Sequence, residues 1–466
     1  MGIMHALRFA LRTDRLGKVA RWTDPRRDRL ARRRLRRLVA FAMDRSPFYR
    51  QLYAGIDRRR FRLADLPPVT KDMLREHFDD VLTDTLMTHD DLTDFVRYPA
   101  NLGKWYRGRY AVSHTSGSQG PPLFIVQDRA AIELLFSLMS ARANAGTKPG
   151  PLEGLRRLRE PARVAVVALH RGFYPSASAF EFMAAETAPF TSVQWFSVAD
   201  ADLVPRLADF QPHSLVAYAS VLEGLALEAD RLGLKHLRQI ANSSEQLTPR
   251  ARLRIEAAFG VTVMDHYGTG ECLFLSDGCP TDGGAHVNAD WAILENVDDD
   301  YRPVPAGQPG RKVLVTNLAN RIQPFIRYEV PDRIVMATEP CRCGSRLPRI
   351  ARIEGRSAEA FWITGADGRQ RPLPGVLFHD AIDHLVHIRE WRATQTEADR
   401  IRLELEFLPG GHVDVDVQAL VARLRSNGLP ERVRVDVEPA HGLAPDPRTG
   451  KFRRVITHVQ PAGPLS

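Results

Sequence analysis

The chain has 466 residues, of which 44% are hydrophobic and 26% are charged, and it contains 4 cysteines. This ordinary globular composition excludes a disordered chain, a collagen-like fibre and a small disulfide scaffold. No apolar run reaches the ~18 residues of a membrane span, and the first 20 residues lack the apolar block of a secretory signal. Because so few cysteines cannot form a disulfide framework, we predict a cytoplasmic protein without a membrane span.

The net charge of +9 is concentrated at one end, because residues 1–60 hold 18 Arg or Lys against 5 Asp or Glu. Such a surface can attract an anionic partner. However, Leu35, Leu38 and Ala42 recur at helical spacing among the arginines, which indicates a helix packed on one side. We therefore interpret the arginines as a solvated helix face and expect no nucleic-acid partner.

Residues 1–110 are predicted to be a mostly helical lead-in that carries this basic face. From about residue 111 to 335, short β-rich runs alternate with helical stretches, which is typical of an α/β domain with a largely parallel sheet. The predicted strands are Val164–Leu169, Ser214–Ala219, Gln239–Asn242, Val261–Asp265 and Lys312–Asn317. Loops that leave such strands tend to carry the functional site.

The composition changes again near residue 355. Beyond it, Ile401–Phe407 alternates apolar and charged residues, Val417–Ser426 has helical periodicity, and Val433–Val437 alternates again. We predict a separate α+β unit of ordinary domain size over residues 361–466.

The first candidate motif is the Ser/Gly-rich loop His114-Thr-Ser-Gly-Ser-Gln-Gly-Pro-Pro122. Its glycines allow several backbone N–H groups to face one anion, and the hydroxyls of Thr115, Ser116 and Ser118 add donors. No Gly-Lys-Ser/Thr sequence follows, so it is not a Walker loop. By itself, such a segment is more often a plain loop.

The second motif, Asp265-His-Tyr-Gly-Thr-Gly-Glu271, comes at the end of a predicted strand. The ring of Tyr267 could stack on a base, and the carboxylate of Glu271 could bind Mg²⁺. A dinucleotide fingerprint is excluded because Leu273 occupies the position of the third glycine. The alternative is an ordinary strand-to-helix turn.

Two further motifs lie toward the C-terminus. Asp332 could accept both hydroxyls of a ribose, and Arg356, 24 positions later, could reach a phosphate. Lys451, on the turn Arg448-Thr-Gly-Lys451, could neutralise charge on a phosphoryl group in transfer. Taken one at a time, each of these residues is more often a solvated surface group.

In their order, the four motifs resemble the adenylate-forming ligase superfamily, and within it the phenylacetate–CoA ligase-like branch. The resemblance covers most of the chain, since it also includes Asp44-Arg-Ser-Pro-Phe-Tyr49, Leu66-Pro-Pro-Val-Thr-Lys71 and Gly355-Arg-Ser357. It implies a large α/β domain with layered sheets and helices over residues 1–354, a hinge over 355–360, and a small mobile α+β domain over 361–466.

The resemblance also implies an activity. A carboxylic acid would attack the α-phosphorus of ATP to give an acyl-adenylate and pyrophosphate, with ATP and Mg²⁺ as cofactors. The acyl group would then pass to CoA, a carrier-protein thiol or an amine. The implied enzyme is an acid–thiol ligase, and a homodimer is an expectation of the same kind.

The same resemblance assigns roles to individual residues. The loop would hold the ATP phosphates, and Lys451 would bridge the substrate carboxylate and the α-phosphate. Tyr267 would stack on adenine and Glu271 would bind Mg²⁺. Asp332 would accept the ribose hydroxyls, and Arg356 would lie near the ribose and a phosphate. Its phosphate-loop residues are Thr115, Ser116, Gly117, Ser118 and Gly120. The residues implied beside adenine are Ser243, Ser244, Glu245, Tyr267, Gly268 and Thr269. Phe173 and Tyr174 would line the acid pocket, which favours an aromatic or otherwise apolar acid.

Three positions depart from the family pattern. Gln119 replaces a threonine in the phosphate loop, Gly270 replaces a hydroxyl residue before Glu271, and Ala358 replaces the usual hinge aspartate. Alanine lacks the side-chain oxygen that could hold either domain orientation by a hydrogen bond. We therefore predict that adenylation is faster than thioester formation with CoA.

Cysteine and histidine spacing suggests a metal site. Cys279 and His286 lie after the Mg²⁺ motif, and Cys341 and Cys343 lie just before the hinge. Three thiolates and one imidazole suit a closed tetrahedral zinc site, and related members of the branch carry a similar set. The alternative is four unrelated residues, because free cysteines are commonly buried.

Two other functions remain open at this point. One is an adenylyltransferase that acts on a cofactor hydroxyl, and the other is a degenerate, non-catalytic family member that acts as a binding protein. Glu271, Asp332, Arg356 and Lys451 argue against degeneracy, whereas the three departures argue for it.

Overall fold

The computed structural model describes residues 3–115, 122–143, 160–168, 172–187, 191–197, 200–243, 245–356, 360–364, 370–374, 376–382, 385, 387–408, 417–445 and 452–459. Its helices are α1 (Ile3–Val19), α2 (Asp24–Arg45), α3 (Pro47–Leu52), α4 (Lys71–Glu76), α5 (Phe78–Val81), α6 (His89–Val96), α7 (Arg129–Ala143), α8 (Pro175–Glu186), α9 (Leu203–Phe210), α10 (Ala219–Ala226), α11 (Ala229–Leu232), α12 (Pro249–Phe259), α13 (Val376–Ile382) and α14 (Val417–Ser426). Among the helices so described, none has both the length and the apolar content that a membrane crossing requires.

The strands are β1 (Tyr110–His114), β2 (Phe124–Asp128), β3 (Ala162–Ala168), β4 (Thr191–Ser197), β5 (Ser214–Ala217), β6 (Gln239–Asn242), β7 (Val263–Asp265), β8 (Ser276–Gly278), β9 (Ala285–Val287), β10 (Ala292–Val297), β11 (Lys312–Asn317), β12 (Tyr328–Val330), β13 (Asp332–Met336), β14 (Arg349–Arg356), β15 (Ala360–Thr364), β16 (Gln370–Pro374), β17 (Ile388–Glu397), β18 (Arg400–Phe407), β19 (Arg434–Ala440) and β20 (Val455–Thr457).

The N-terminal region is helical, as predicted. Helix α2 buries Ala31, Leu35, Leu38 and Ala42 along one face. It ends before Pro47, where the Ser46 hydroxyl accepts a hydrogen bond from the Tyr49 N–H and caps α3. The arginines of α2 that alternate with the buried positions are mostly exposed, which agrees with a solvated helix face. The exposed ones are Arg26, Arg29, Arg32, Arg33, Arg36 and Arg37.

The predicted parallel sheet is present in the order β4-β3-β5-β6-β7, and every neighbouring pair in it is parallel. Its apolar residues form a core with the helices that connect the strands, such as Leu222 of α10 and Ile255 of α12. Because the strands are parallel, their carboxyl ends meet at one edge, which we call the carboxyl edge.

One predicted strand belongs elsewhere. Strand β11 has the predicted bounds, but it pairs antiparallel with β10 and β12 in a separate sheet. A further antiparallel sheet has the order β13-β14-β9-β8. The large domain is therefore made of layered sheets, as the resemblance implies, and the parallel sheet is one layer of it.

The C-terminal region forms a mixed sheet in the order β19-β18-β17-β20, with the β15-β16 hairpin and helices α13 and α14. Trp391 and Phe378 are buried in its core, which is a separate cluster of residues numbered 361 and above. This separate core supports the proposed boundary near residue 355. Ser357 and Ala358 of the predicted hinge lie outside the described residues.

Candidate functional site

The adenine motif begins where β7 ends at the carboxyl edge. The N–H of Tyr267 donates to the Ser276 hydroxyl at 3.1 Å, and that hydroxyl donates to the Tyr267 carbonyl at 2.8 Å. A side chain on Gly268 would place its Cβ 2.8 Å from the carbonyl oxygen of Leu273. The turn therefore requires glycine at this position.

The structure brings Tyr267 and Asp332 together. The phenol of Tyr267 donates to Oδ2 of Asp332 at 2.9 Å, and both side chains are buried. Asp332 lies opposite Arg356 in the antiparallel register of β13 and β14. The predicted base-stacking ring, ribose carboxylate and phosphate arginine thus occupy neighbouring backbone positions. The side chain of Arg356 is outside the described residues.

Glu271 is buried behind this pair. Its backbone carbonyl accepts from the Asn317 amide at 2.8 Å, and its side chain hydrogen-bonds to Tyr328. The pKa of Tyr328 is raised well above its ordinary value by burial and then by the Glu271 charge. Thr269 and Cys272 exchange backbone hydrogen bonds, which closes a tight loop that contains Glu271.

A side chain at Gly270, such as the hydroxyl residue of the family pattern, would require its neighbours to shift. A Cβ at this position would lie 2.9 Å from Cδ1 of Ile125 and 3.0 Å from Cγ of Pro175. The side chains of Ile125 and Pro175 therefore occupy the space beside Gly270 that a hydroxyl side chain would take.

The phosphate loop is described only at its stem. Thr115 and Leu123 exchange backbone and side-chain hydrogen bonds of 2.9 Å, which closes the loop between them. The N–H of His114 donates to the Phe173 carbonyl at 2.8 Å, so the stem adjoins the predicted acid pocket. Ser116, Gly117, Ser118, Gln119 and Gly120 lie outside the described residues.

The small domain contacts the same edge next to the predicted catalytic lysine. The N–H of Phe452 donates to Oε1 of Glu245 at 2.7 Å, and Oε2 of Glu245 accepts from the Ser220 N–H at 2.9 Å. Glu245 was predicted to lie beside adenine, and here it bridges the two domains. Lys451 and Ser244 lie outside the described residues.

A small pocket opens at the carboxyl ends of β3, β5 and β6. Tyr174 and Ser243 line it, whereas Phe173 is buried with its ring centroid 6.1 Å from that of Phe95 and is not part of the lining. The two adjacent aromatic residues therefore have different surroundings.

Sequence reasoning missed two aromatic walls of this pocket, Trp195 and Tyr218. A third wall is Phe180, whose ring meets that of Trp195 edge to face at 6.1 Å. Burial raises the pKa of Tyr218 to about 12, with smaller contributions from Glu245 and Tyr174. Tyr218 follows β5 directly, so the rule that sites lie at carboxyl ends of parallel strands could have identified it.

The four predicted metal ligands converge although they come from distant segments. The ligand atoms of Cys279, His286, Cys341 and Cys343 all lie within 4.8 Å of one another. Sγ of Cys279 is 3.3 Å from Sγ of Cys341, and Sγ of Cys343 is 3.3 Å from Nε2 of His286. Bonds of about 2.3 Å in a tetrahedron separate two sulfur ligands by about 3.8 Å, so the cluster has the size of a zinc site.

The surroundings of the cluster also suit a metal. Nδ1 of His286 is 3.2 Å from the Leu347 carbonyl, which can only accept, so Nε2 keeps its lone pair toward the cysteines. Backbone N–H groups of Asp282 and Ser345 donate to the sulfur atoms of Cys279 and Cys343. Burial alone would raise the pKa of Cys279, but the side-chain contact with His286 and the backbone N–H groups of Asp282 and Thr281 outweigh it and lower that pKa to about 6.

No family model matches the chain. The phenylacetate–coenzyme A ligase of Thermus thermophilus is 26% identical over 463 aligned positions, which cover 92% of this chain and 95% of that protein. A 2-hydroxyisobutyryl-CoA ligase in the postadenylation state, in complex with R3-HIB-AMP, matches with a TM-score of 0.69 and 23% identity over 94% of this chain and 90% of that one. The chain is similar to this phenylacetate–CoA ligase over most of its length and has the fold of the compared 2-hydroxyisobutyryl-CoA ligase.

Two further structures match this fold. The 2-hydroxyisobutyryl-CoA ligase in its thioesterification state, in complex with 2-HIB-AMP and CoA, gives a TM-score of 0.58 at 24% identity over 94% of this chain and 91% of that one. A benzoate CoA ligase from Burkholderia xenovorans gives 0.50 at 15% identity over 74% of this chain and 67% of that one. The resemblance inferred from the motifs is therefore confirmed for the fold.

Proposed function

We propose that this protein activates a carboxylic acid with ATP to an acyl-adenylate and then transfers the acyl group to CoA. The observation that carries the proposal is the hydrogen-bonded pair of Tyr267 and Asp332 at the carboxyl edge, with residue 452 of the small domain contacting the same edge. The homologue and the compared structures, all named as CoA ligases, favour this activity over an adenylyltransferase or a non-catalytic binding protein.

Each side chain has a role that its surroundings suit. Tyr267, held by Asp332, would offer a ring face to adenine, and Asp332 would accept the ribose hydroxyls on its remaining lone pairs. Glu271 is a buried carboxylate next to Tyr328 and fits a hard cation such as Mg²⁺, which would neutralise phosphate charge when bound. The acid oxygen would attack the α-phosphorus, and pyrophosphate would leave.

The protein would mainly position the reactants and neutralise charge. The loop from Thr115 to Gly120 would hold the leaving phosphates, since its stem adjoins the acid pocket through His114. Lys451 would approach the acid carboxylate and the α-phosphate from the small domain. Its neighbour Phe452 contacts Glu245, two residues from the pocket-lining Ser243.

The lining of the pocket, rather than its volume, favours an aromatic acid. Aromatic walls at Phe180, Trp195 and Tyr218 face small residues such as Ala177, which leaves a narrow apolar space. A flat ring can fill such a space and contact these walls edge to face.

The test of this proposal is acid-dependent ATP–pyrophosphate exchange across aryl, long-chain fatty and amino acids. We expect single-ring aryl acids to have at least roughly tenfold higher kcat/KM than the other two classes, because a pocket discriminates by the surface it can bury. Exchange with fatty acids alone would contradict the aromatic assignment. The absence of exchange with every acid would contradict adenylation itself.

CoA is the proposed acceptor of the acyl group. A single-turnover experiment distinguishes CoA from the alternative acceptors, a carrier-protein thiol or an amine. In single-turnover assays with the preferred acid, we expect adenylate to form faster than CoA consumes it, for the reason given for Ala358. If CoA consumes the adenylate as fast as it forms, the hinge argument is wrong and the CoA assignment stands. A homodimer and a cytoplasmic location remain predictions.

We also propose that Cys279, His286, Cys341 and Cys343 bind one zinc ion. Four ligand atoms within 4.8 Å and N–H donors to two of the sulfur atoms support a closed site with no position left for substrate. The site would be structural, because it joins the β8–β9 turn to the segment before β14.

A further inference from the structure

The two domains meet through polar contacts that converge on the strand after Lys451. From the large domain, α12 contributes Arg250 and Arg254, which donate to backbone carbonyls of the small domain. Arg250 donates to Leu385 at 3.2 Å and to Arg389 at 3.4 Å, and Arg254 donates to Ile388 at 2.8 Å. These carbonyls lie at the start of β17, which pairs with β20 beyond Lys451.

A buried ion group lies at the centre of this interface. Arg454 of the small domain pairs with Glu390 of its own domain through two hydrogen bonds of 2.7 and 2.8 Å. It also lies 3.7 Å from Oε2 of Glu223 on α10 of the large domain, and Arg254 lies 3.6 Å from the other oxygen of Glu223. Arg454 and Glu390 are both buried.

Burial makes these charges depend on one another. Burial by itself would lower the pKa of Arg454, but Glu390 and Glu223 outweigh it and raise that pKa. Burial raises the pKa of Glu223, which Arg454 partly offsets. A buried charge that loses its partner is strongly destabilised. The charge of the Glu223 carboxylate is therefore most stable when the small domain holds the Arg454 guanidinium close to it.

Chain position connects this group to the proposed catalytic lysine. The segment that directly follows Lys451 is anchored to the large domain at residues 452 and 454. One anchor is the N–H of Phe452 on Glu245 and the other is Arg454 on Glu223. The chain also superposes more closely on the postadenylation state of the compared ligase than on its thioesterification state.

We propose that Glu223, acting through Arg454, is a positioning residue that holds the small domain in the orientation in which Lys451 serves adenylation. This inference rests on the proposed function. It predicts that the contact stabilises one of two domain arrangements, so its loss should affect one half-reaction and spare the other.

The test compares the two half-reactions in Glu223→Gln, which removes the charge and keeps the volume. We expect acid-dependent pyrophosphate exchange to lose roughly tenfold in kcat with little change in KM, because substrate contacts remain. Thioester formation from supplied acyl-adenylate and CoA should keep its rate. Glu223→Asp should recover part of the exchange rate. The matched control is Glu228→Gln, an ion-paired glutamate exposed on the same domain.

Two further measurements make the outcome decisive. Arg250→Met removes contacts across the same interface while leaving Glu223 and Arg454 in place, and it should give the same split if the Gln variant fails to fold. Hydrogen exchange of the peptide that contains residue 452 should be slow in the wild type and faster in both variants, whatever the activity. An equal loss of both half-reactions, or no loss in either, would overturn the inference. Slow exchange at residue 452 without any acid-dependent activity would reject the proposed function and leave the interface in place.

Discussion

Lys451→Ala is expected to abolish acyl-adenylate formation while leaving ATP affinity and thermal stability nearly unchanged. The lysine is next to Phe452, whose N–H contacts Glu245 at the edge where the acid pocket opens. Loss of charge neutralisation at a phosphoryl transfer costs about 3 kcal/mol or more, which is roughly a hundredfold in rate. Acid-dependent pyrophosphate exchange and ATP binding measure the two effects separately.

The control for this variant is Lys235→Ala, which removes an exposed lysine of the large domain. It should exchange pyrophosphate at the wild-type rate. If Lys451→Ala also does so, the catalytic role of Lys451 is wrong, whichever acid the enzyme prefers.

The second large effect concerns stability. Purified protein should contain one equivalent of zinc, and Cys341→Ser should lower the melting temperature more than it lowers the activity of each folded molecule. The reason is that a closed four-ligand site contributes its binding free energy to folding. Elemental analysis and thermal unfolding with and without a chelator measure this.

Cys272 provides the matched control, because it is buried in the core away from the four ligands. The Cys272→Ala variant should still contain one equivalent of zinc, even with a lower melting temperature. Protein purified without chelator that contains no zinc would contradict the assignment, and the close approach of the four residues would then be packing alone.

Hydrophobic periodicity was enough to locate several helices and strands, because it depends on residues close in sequence. Helix α14 has the predicted bounds, and β5, β6 and β18 lie within one or two residues of their predicted positions. The partners of a strand depend on distant segments, however. The bounds of β11 were therefore predicted correctly, whereas its antiparallel pairing with β10 and β12 was not.

The sequence by itself determined which residue types were available for the proposed chemistry: a glycine-rich loop, an aromatic turn before a carboxylate, an aspartate proposed for the ribose and four proposed metal ligands. Only the tertiary structure decided which of them meet. Tyr267 and Asp332 are 65 positions apart, and Cys279 and Cys341 are 62 apart, yet each pair is in contact. No local sequence pattern marked Glu223 as functional, since an acidic residue on an amphipathic helix is usually solvated. It becomes significant only because the small domain places Arg454 3.7 Å from it in a largely buried interface, where a charge needs a partner.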